Sequence, residues 1–421
     1  MNAESILQSY QHFGVHLGLE RIHQLLQKLD NPHQQVPIIH IAGTNGKGSV
    51  CAYLSSVLTE AGYRVGRYTS PHLIDWTERI CINQKPISPT ELQQCLERVV
   101  AATENNTETP TQFEIITAAA WLYFAEQKTD IAVIETGLGG RLDATNVCET
   151  PLVSVITSIS LDHWQILGPT VADIAGEKAG ILKAKCPAVI GELPESARIV
   201  VEKRIQELDC PATWVKPAID LGQGFAEYQL NQNAVKIKYK LPLLGKIQLM
   251  NSAIAIATLQ TLQNQGWQIS PTAIENGIAK TQWPGRLQQT TWKNRNILID
   301  GAHNPAAAIA LREYVDRLNN HPSPINWVIG ILATKDCDDI LKALLKKGDR
   351  LYLVPVPDQN SSSPAELATL AQIICPELTL CQAFPDLTTA LDAAVTGDNL
   401  TILCGSLYLV GHFLQQQQSQ A

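Results

Sequence analysis

Short apolar runs rich in β-branched residues alternate along this chain with stretches whose apolar positions recur at helical spacing. Ile22, Leu25, Leu26 and Leu29 fall three or four residues apart and predict an amphipathic helix within the first thirty residues. Residues 36–42 form a short apolar run that stops at Gly43, and helical patterning resumes over 49–61. That order reads as strand, glycine turn, helix. Further strand candidates lie at 131–135, 153–159 and 186–190, with helical stretches between several of them. This rhythm predicts a largely parallel sheet covered on both faces.

Between 212 and 250 the texture changes. Residues 225–240 alternate in short extended segments and predict a small antiparallel patch or hairpin inside the first domain. An alanine-rich helix follows over 251–263. After Trp283-Pro284-Gly285 the rhythm starts afresh, with strands expected at 296–300, 325–331, 350–354 and 400–404. Helices are expected over 305–318, 338–347, 364–373 and 387–395, and Gln415 to Gln418 read as a frayed polar tail. The Pro-Gly pair marks a domain junction. A chain of 421 residues exceeds what one core usually organises. The expected division is an α/β domain over 1–284 and a smaller α/β domain over 285–421.

An apolar share of 45% against 17% charged residues excludes a disordered chain. The formal net charge of −8 argues against nucleic-acid binding. The sequence shows no secretory h-region and no apolar run long enough for a membrane span. Ten scattered cysteines without a CxxC pair read as reduced core thiols. A cytoplasmic protein is the expectation.

The sharpest chemical signal is Gly43-Thr44-Asn45-Gly46-Lys47-Gly48-Ser49 between a strand and a helix. Glycines let backbone N–H groups converge on phosphate oxygens, and a helix N-terminus favours an anion. Lys47 adds a point charge, and Ser49 offers a hydroxyl to Mg²⁺. The spacing departs from the usual nucleotide motif, with two residues instead of four before Gly46-Lys47 and a glycine between Lys47 and Ser49. Glu135 ends an apolar run, where a carboxylate points toward the ligand crevice of such sheets. His163 follows another strand candidate. Alone it reads as a loop histidine, and beside Ser49, Ser70 and Glu135 it reads as a metal ligand. Asp300-Gly301-Ala302-His303-Asn304-Pro305 repeats this placement in the second domain. Asn304 before Pro305 also fits a helix cap.

The assembly resembles the folylpolyglutamate synthase/dihydrofolate synthase family of Mur-type ligases. The resemblance rests on the 43–49 loop, Tyr68-Thr69-Ser70-Pro71-His72-Leu73, Phe113-Glu114, and the segment from Glu135 through Gly137-Leu138-Gly139-Gly140-Arg141 to Leu142-Asp143-Ala144-Thr145-Asn146. It continues through the stretch ending in Asp162-His163, then Glu177-Lys178-Ala179-Gly180, Pro284-Gly285-Arg286-Leu287 and the Asp300 segment.

The resemblance implies an N-terminal P-loop ATPase-like domain of Mur-ligase type and a C-terminal Rossmann-like domain. It places ATP on the 43–49 loop, with Asn251, Arg286, Asp300 and His303 as further nucleotide contacts. One Mg²⁺ is implied near Ser49, Ser70 and Glu135, and a second near His163. Lys178 matches a lysine that the family carries as a carbamate. Lys47, His163 and Lys178 are the implied catalytic groups, while Ser70, Pro71, His72, Phe113 and Asp143 are implied to meet the pterin substrate.

The implied reaction activates a carboxylate as an acyl phosphate and joins it to L-glutamate. The substrates would be dihydropteroate, reduced folates and their polyglutamates, handled by a monomer. A polyglutamylation-only enzyme, another Mur-type amino acid ligase and a nucleotide-binding regulator are the alternatives. One departure is Ala333-Thr334-Lys335-Asp336, where relatives often show Asp-Lys-Asp.

Overall fold

Strand β1 (Ile38–Ala42) is buried along its whole length, as its unbroken apolar run requires. The computed structural model that shows this describes residues 2–11, 17–104, 108–230, 235–318 and 324–420. Packing divides the chain into two units. The first comprises Met1–Ser160, Trp164–Pro242 and Gln248–Gln282, and the second Leu161–His163, Leu243–Ile247 and Trp283–Ala421.

In the first unit β1 joins β2 (Val65–Tyr68), β3 (Ile80–Ile82), β4 (Lys85–Pro86), β5 (Ile131–Glu135), β6 (Val153–Ile156), β7 (Ala188–Ile190) and β8 (Ala212–Trp214). Their order is β4-β3-β2-β5-β1-β6-β7-β8. The pairs from β2 through β8 are parallel, and β3 and β4 continue antiparallel at one edge. The helices are α1 (Ala3–Ser9), α2 (Glu20–Lys28), α3 (Lys47–Glu60), α4 (Pro89–Ala101), α5 (Gln112–Glu126), α6 (Trp164–Leu167), α7 (Val171–Ala179), α8 (Glu195–Glu207), α9 (Ile247–Asn264) and α10 (Pro271–Ala279).

One apolar cluster joins Ile38, Tyr68 and Ile134 of the sheet to Ile22, Leu96, Trp121 and Phe124 of α2, α4 and α5. A second gathers Ile156, Ile190, Ile174 and Val201. Three antiparallel strands, β9 (Ile219–Gly222), β10 (Phe225–Leu230) and β11 (Val235–Lys240), make the small patch expected near 225–240. The expected segment includes 231–234, which lie outside the described residues, as do 12–16 of the N-terminal stretch.

The second unit has a six-stranded sheet ordered β12-β13-β17-β14-β15-β16. Its strands are β12 (Gln288–Trp292), β13 (Arg295–Ile299), β14 (Asn326–Ile329), β15 (Arg350–Leu353), β16 (Leu380–Ala383) and β17 (Thr401–Cys404). Only the β12–β13 pair is antiparallel among them. Helices α11 (Pro305–Leu318), α12 (Cys337–Leu344), α13 (Pro364–Ile374), α14 (Leu387–Ala394) and α15 (Leu407–Gln420) accompany the sheet. Trp327, Ile329, Leu353 and Ile402 form its core.

Two expectations are corrected. The glutamines at 415–418 belong to α15, because buried Leu409, Val410 and Phe413 anchor one face of a helix that runs through them. The strand expected over 153–159 stops at Ile156, since Thr157 to Ser160 turn away to bond the loop after β1.

Helix α3 starts in the glycine loop and packs on β1, β2 and β5, and α10 lies across its outer side. That crossing is close: a Cβ on Gly277 of α10 would collide with the Val57 backbone of α3. Gly277→Ala is therefore expected to lower unfolding stability by about 1–3 kcal/mol through overpacking. Urea unfolding followed by circular dichroism checks this, and an unchanged midpoint would show that the crossing relaxes freely.

Candidate functional site

Four neighbouring parallel strands, β2, β5, β1 and β6, deliver their C-terminal ends to one edge of the first sheet. This is where open α/β sheets bind ligands. After β1 comes the 43–49 loop, whose shape is fixed by the segment following β6. Thr44 N donates to Ser158 O (2.7 Å), Asn45 N donates to Ser158 Oγ (3.1 Å), and Thr157 Oγ1 donates to Asn45 O (2.7 Å). A side chain at Gly43 would strike Thr157 Oγ1, so only glycine fits there. Gly46 caps α3 at φ 88°, in the left-handed region, and a Cβ on it would lie 2.5 Å from Asn251 Oδ1. Asn251 in turn donates to Gln248 Oε1 (3.1 Å), and Gln248 Nε2 donates to Ser49 Oγ (3.4 Å). The loop and the first turn of α3, including Gly48 and Ser49, are thus held against α9.

Positive charge gathers on this loop. Lys47 Nζ donates to Gly43 O (3.0 Å) and Thr44 O (3.3 Å), and lies 3.8 Å from Glu135 Oε1. Lys178 of α7, 5% exposed, donates from Nζ to the same Gly43 carbonyl at 2.9 Å. Glu135 is buried, and its Oε2 accepts the Ser70 N–H at 3.2 Å. Lys47, Ser70, Glu135, Lys178 and Asn251 therefore all belong to the surroundings of one loop.

Among the described residues no group of three or more His, Cys, Asp or Glu side chains is gathered as a metal site. One carboxylate with hydroxyls beside it is instead the donor set of Mg²⁺ that is held together with phosphate oxygens and water. Glu135, whose Oε2 lies 3.2 Å from Ser70 N, is a carboxylate that fits an ion of that kind.

The residues expected at the pterin flank the same edge. Ser70-Pro71 is a cis peptide. His72 Nδ1 accepts from Arg79 Nε (2.9 Å), and its ring lies 4.6 Å from that of Trp76. Burial and then the Arg79 charge push its pKa down to about 3. The Phe113 ring lies against Gly137, where a Cβ would collide with it. Asp143 is fully enclosed. Its Oδ2 accepts from Leu138 N (2.7 Å), and its Oδ1 from Thr145 N (3.0 Å) and Thr145 Oγ1 (2.6 Å). Burial raises its pKa, and these donors oppose the rise. The carboxylate shapes its own loop.

In the second unit Asp300 directly follows β13. Its oxygens accept from Leu287 N (2.9 Å) and Ala302 N (2.8 Å), so it joins the Arg286 turn to the start of the next segment. Burial raises its pKa, with the Arg286 charge acting against that. Asn304 caps α11 by accepting from Ala307 N (2.9 Å). His303 Nδ1 lies 2.8 Å from Gly301 O.

His163, expected with Ser49, Ser70 and Glu135, groups in the second unit with Asp162 and Lys335. Asp162 was not singled out from sequence, although it adjoins His163. It accepts from Lys335 Nζ (2.7 Å) and Asn304 Nδ2 (3.2 Å). Burial alone would raise its pKa, but the His163, Lys335 and His303 charges hold it well below the ordinary value. Gln248 was also missed; its place three residues before Asn251 on one helix was the available signal.

Two family models match the chain. "Mur ligase middle domain" covers residues 41–259, and "Dihydrofolate synthetase, C-terminal domain" covers 284–416. The chain is 36% identical to a probable dihydrofolate synthetase of Schizosaccharomyces pombe, over 94% of this chain and 97% of that one. It is 34% identical to a dihydrofolate synthase/folylpolyglutamate synthase of Bacillus subtilis, over 97% of each. Among solved structures, E. coli FolC in complex with DHPP and ADP superposes with a TM-score of 0.86 at 29% identity, over 100% of this chain and 98% of that one.

His303 supplies a test of the electrostatics. Burial, and then the Lys335 charge, push its pKa down from 6.5 to about 4. The folded ring stays neutral while the unfolded one takes up a proton below pH 6.5. Its stabilising contribution is thus complete above that pH and shrinks as pH falls toward 4. An NMR titration of the His303 ring should find its midpoint near 4. A midpoint near 6.5 would contradict the enclosure described.

Proposed function

Because the chain belongs to the dihydrofolate synthase/folylpolyglutamate synthase family of Mur-type ligases, we propose that it joins L-glutamate to dihydropteroate and to folates at the cost of ATP. The observation that carries this reading is the 43–49 loop opening α3, with Lys47, Glu135 and Lys178 converging on it. Relatives named for both activities and a relative structure holding DHPP and ADP support it.

In this reading residues 1–284 bind nucleotide and pterin and residues 285–421 form the ligase domain, with Arg286, Asp300 and His303 completing nucleotide binding. The enzyme acts as a monomer on small molecules. All ten cysteines carry free thiols, which suits the cytoplasm.

The substrate carboxylate attacks the γ-phosphorus of ATP, the bond to the bridging oxygen breaks, and ADP leaves. The glutamate amine then adds to the acyl phosphate carbonyl, and inorganic phosphate departs as the amine loses its proton. Lys47 and the N–H groups of the loop hold the phosphates throughout. Ser49, Ser70 and Glu135 would hold Mg²⁺ together with the nucleotide, and His163 would hold a second ion; such ions would supply neutralisation of phosphate charge. Lys178 reacts with CO₂ to form a carbamate, its ammonium releasing two protons in all and the cation becoming an anion that still keeps one N–H donor. Its buried position against Gly43 O suits a role in shaping the loop's charge.

Two outcomes test this reading. On one pure preparation with ATP, Mg²⁺ and L-glutamate, dihydropteroate and a reduced folate should each gain glutamate by mass. Extension of the folate alone would leave a polyglutamylation-only enzyme, and no product from either would overturn the ligase reading. Lys47→Ala should abolish both products with little change in the thermal midpoint, because Lys47 bonds loop carbonyls and stands 3.8 Å from Glu135.

For the carbamate, Lys178→Ala should lose activity that small carboxylates partly restore. Full activity of that variant without additives would count against it.

A further inference from the structure

Strand β1 carries a residue that its position does not call for. It reads Ile38-Ile39-His40-Ile41-Ala42, lies between β5 and β6, and is buried throughout. His40 is 1% exposed. A polar ring there costs desolvation that an isoleucine would not. Burial keeps the ring neutral, with a pKa of about 3.

We propose that His40 is a positioning residue for the pterin-side loop 137–146, holding the Thr145 hydroxyl so that Asp143 keeps the loop in its binding shape. The proposal rests on the ligase reading above.

The direction of each hydrogen bond follows from the donors present. Leu138 N and Thr145 N both donate to the Asp143 carboxylate, which therefore acts as an acceptor. Thr145 Oγ1, 2.6 Å from Asp143 Oδ1, must then spend its one proton on that oxygen. The same hydroxyl lies 2.8 Å from His40 Nε2 and can only accept there, so the imidazole proton sits on Nε2. The result is a one-way chain from imidazole to hydroxyl to carboxylate.

It stabilises a fully buried carboxylate with neutral donors alone. Replacing His40 by an apolar residue would leave the Thr145 oxygen without its donor and free the hydroxyl to rotate. The loop is also bound to α7, through Arg141 N to Glu177 O (2.7 Å) and Asn146 Nδ2 to Gly180 O (3.2 Å). His40 ties its other side to the strand that runs directly into Gly43. The pterin loop is thereby set relative to the phosphate loop by a hydrogen bond two residues from the strand's end.

The test uses the whole enzyme. Glutamine places its amide nitrogen where Nε2 of histidine lies, while asparagine is one bond too short. His40→Gln should keep the KM for dihydropteroate within about twofold of wild type, whereas His40→Asn should raise it about tenfold or more, as expected for one broken buried hydrogen bond, and the near-isosteric Thr145→Val, which removes the bonds to both His40 and Asp143, should raise it at least as far. The KM for ATP should stay within about twofold in all three, since the phosphate loop has its own bonds to Thr157 and Ser158. A merely structural role would lower the unfolding midpoint without separating the two KM values, or would leave glutamine and asparagine alike. Either result overturns the proposal. If the histidine variants do not fold, Thr145→Val carries the same expectation alone. A ¹⁵N spectrum of the wild type should show the Nε2–H tautomer at His40, and the opposite tautomer would break the chain. Wild-type enzyme inactive on both pteridine carboxylates overturns the ligase reading instead.

Discussion

Gly43 and Gly46 have no room for a side chain, and the remaining site geometry depends on that close approach. At Gly43 the backbone of the loop lies against Thr157, and at Gly46 against Asn251. Two segments distant in sequence are thus pressed onto the end of β1 at once. Their hydrogen bonds take up Thr44 N, Asn45 N and Asn45 O, which fixes the loop before any ligand arrives. The N–H groups that follow open α3 and face an anion at no cost of reordering. The same approach leaves the Gly43 carbonyl as a shared acceptor for Lys47 and Lys178.

Much of this was legible in the chain because it is local. The run ending at Gly43, the glycine spacing and the carboxylate at the end of β5 are read directly, and β5 falls on its expected residues. The Asn304 cap followed by Pro305 is equally local and is present. What sequence could not supply is pairing across distance. His40 and Thr145 are 105 positions apart, Gln248 and Ser49 are 199, and Lys335 and Asp162 are 173. No period or motif connects such positions. Helix α5 escaped for a different reason: it is apolar on nearly all sides, so it lacks the amphipathic stripe that marks surface helices. Strands such as β16 are short and half exposed, and their alternation is too brief to stand out. The glutamine tail misled because its composition is polar, while three buried residues upstream decide its conformation.

The second unit treats charge differently from the loop around Asp143. Asp162 is held by an ammonium and an amide, with two histidines nearby, so its ionised form is strongly favoured. His303 is driven the other way, kept neutral by burial and then by the same Lys335 that favours Asp162 as an anion. Lys335 therefore acts on two neighbours in opposite senses, adding to burial at His303 and to the His163 charge at Asp162. A neutral His303 whose Nδ1 lies at the Gly301 carbonyl keeps a lone pair on Nε2, which suits it to accept a hydrogen bond from a ligand.

The three buried carboxylates at strand ends or in the loops that follow differ in how fully their acceptor sites are occupied by fixed groups. Asp143 and Asp300 receive backbone amides at 2.7–3.0 Å, and those amides belong to the turns the carboxylates organise. Such an oxygen cannot turn to a ligand without releasing a backbone donor into a buried place, a loss of about 1–3 kcal/mol for each. Glu135 also accepts a backbone amide, Ser70 N on Oε2 at 3.2 Å, and its other oxygen faces a side chain. Its contact with Lys47 is long, at 3.8 Å, and Lys47 is the group that an arriving phosphate would draw away. Asp143 and Asp300 each hold the turns of their own unit, while Glu135 faces the Lys47 ammonium at the end of β5.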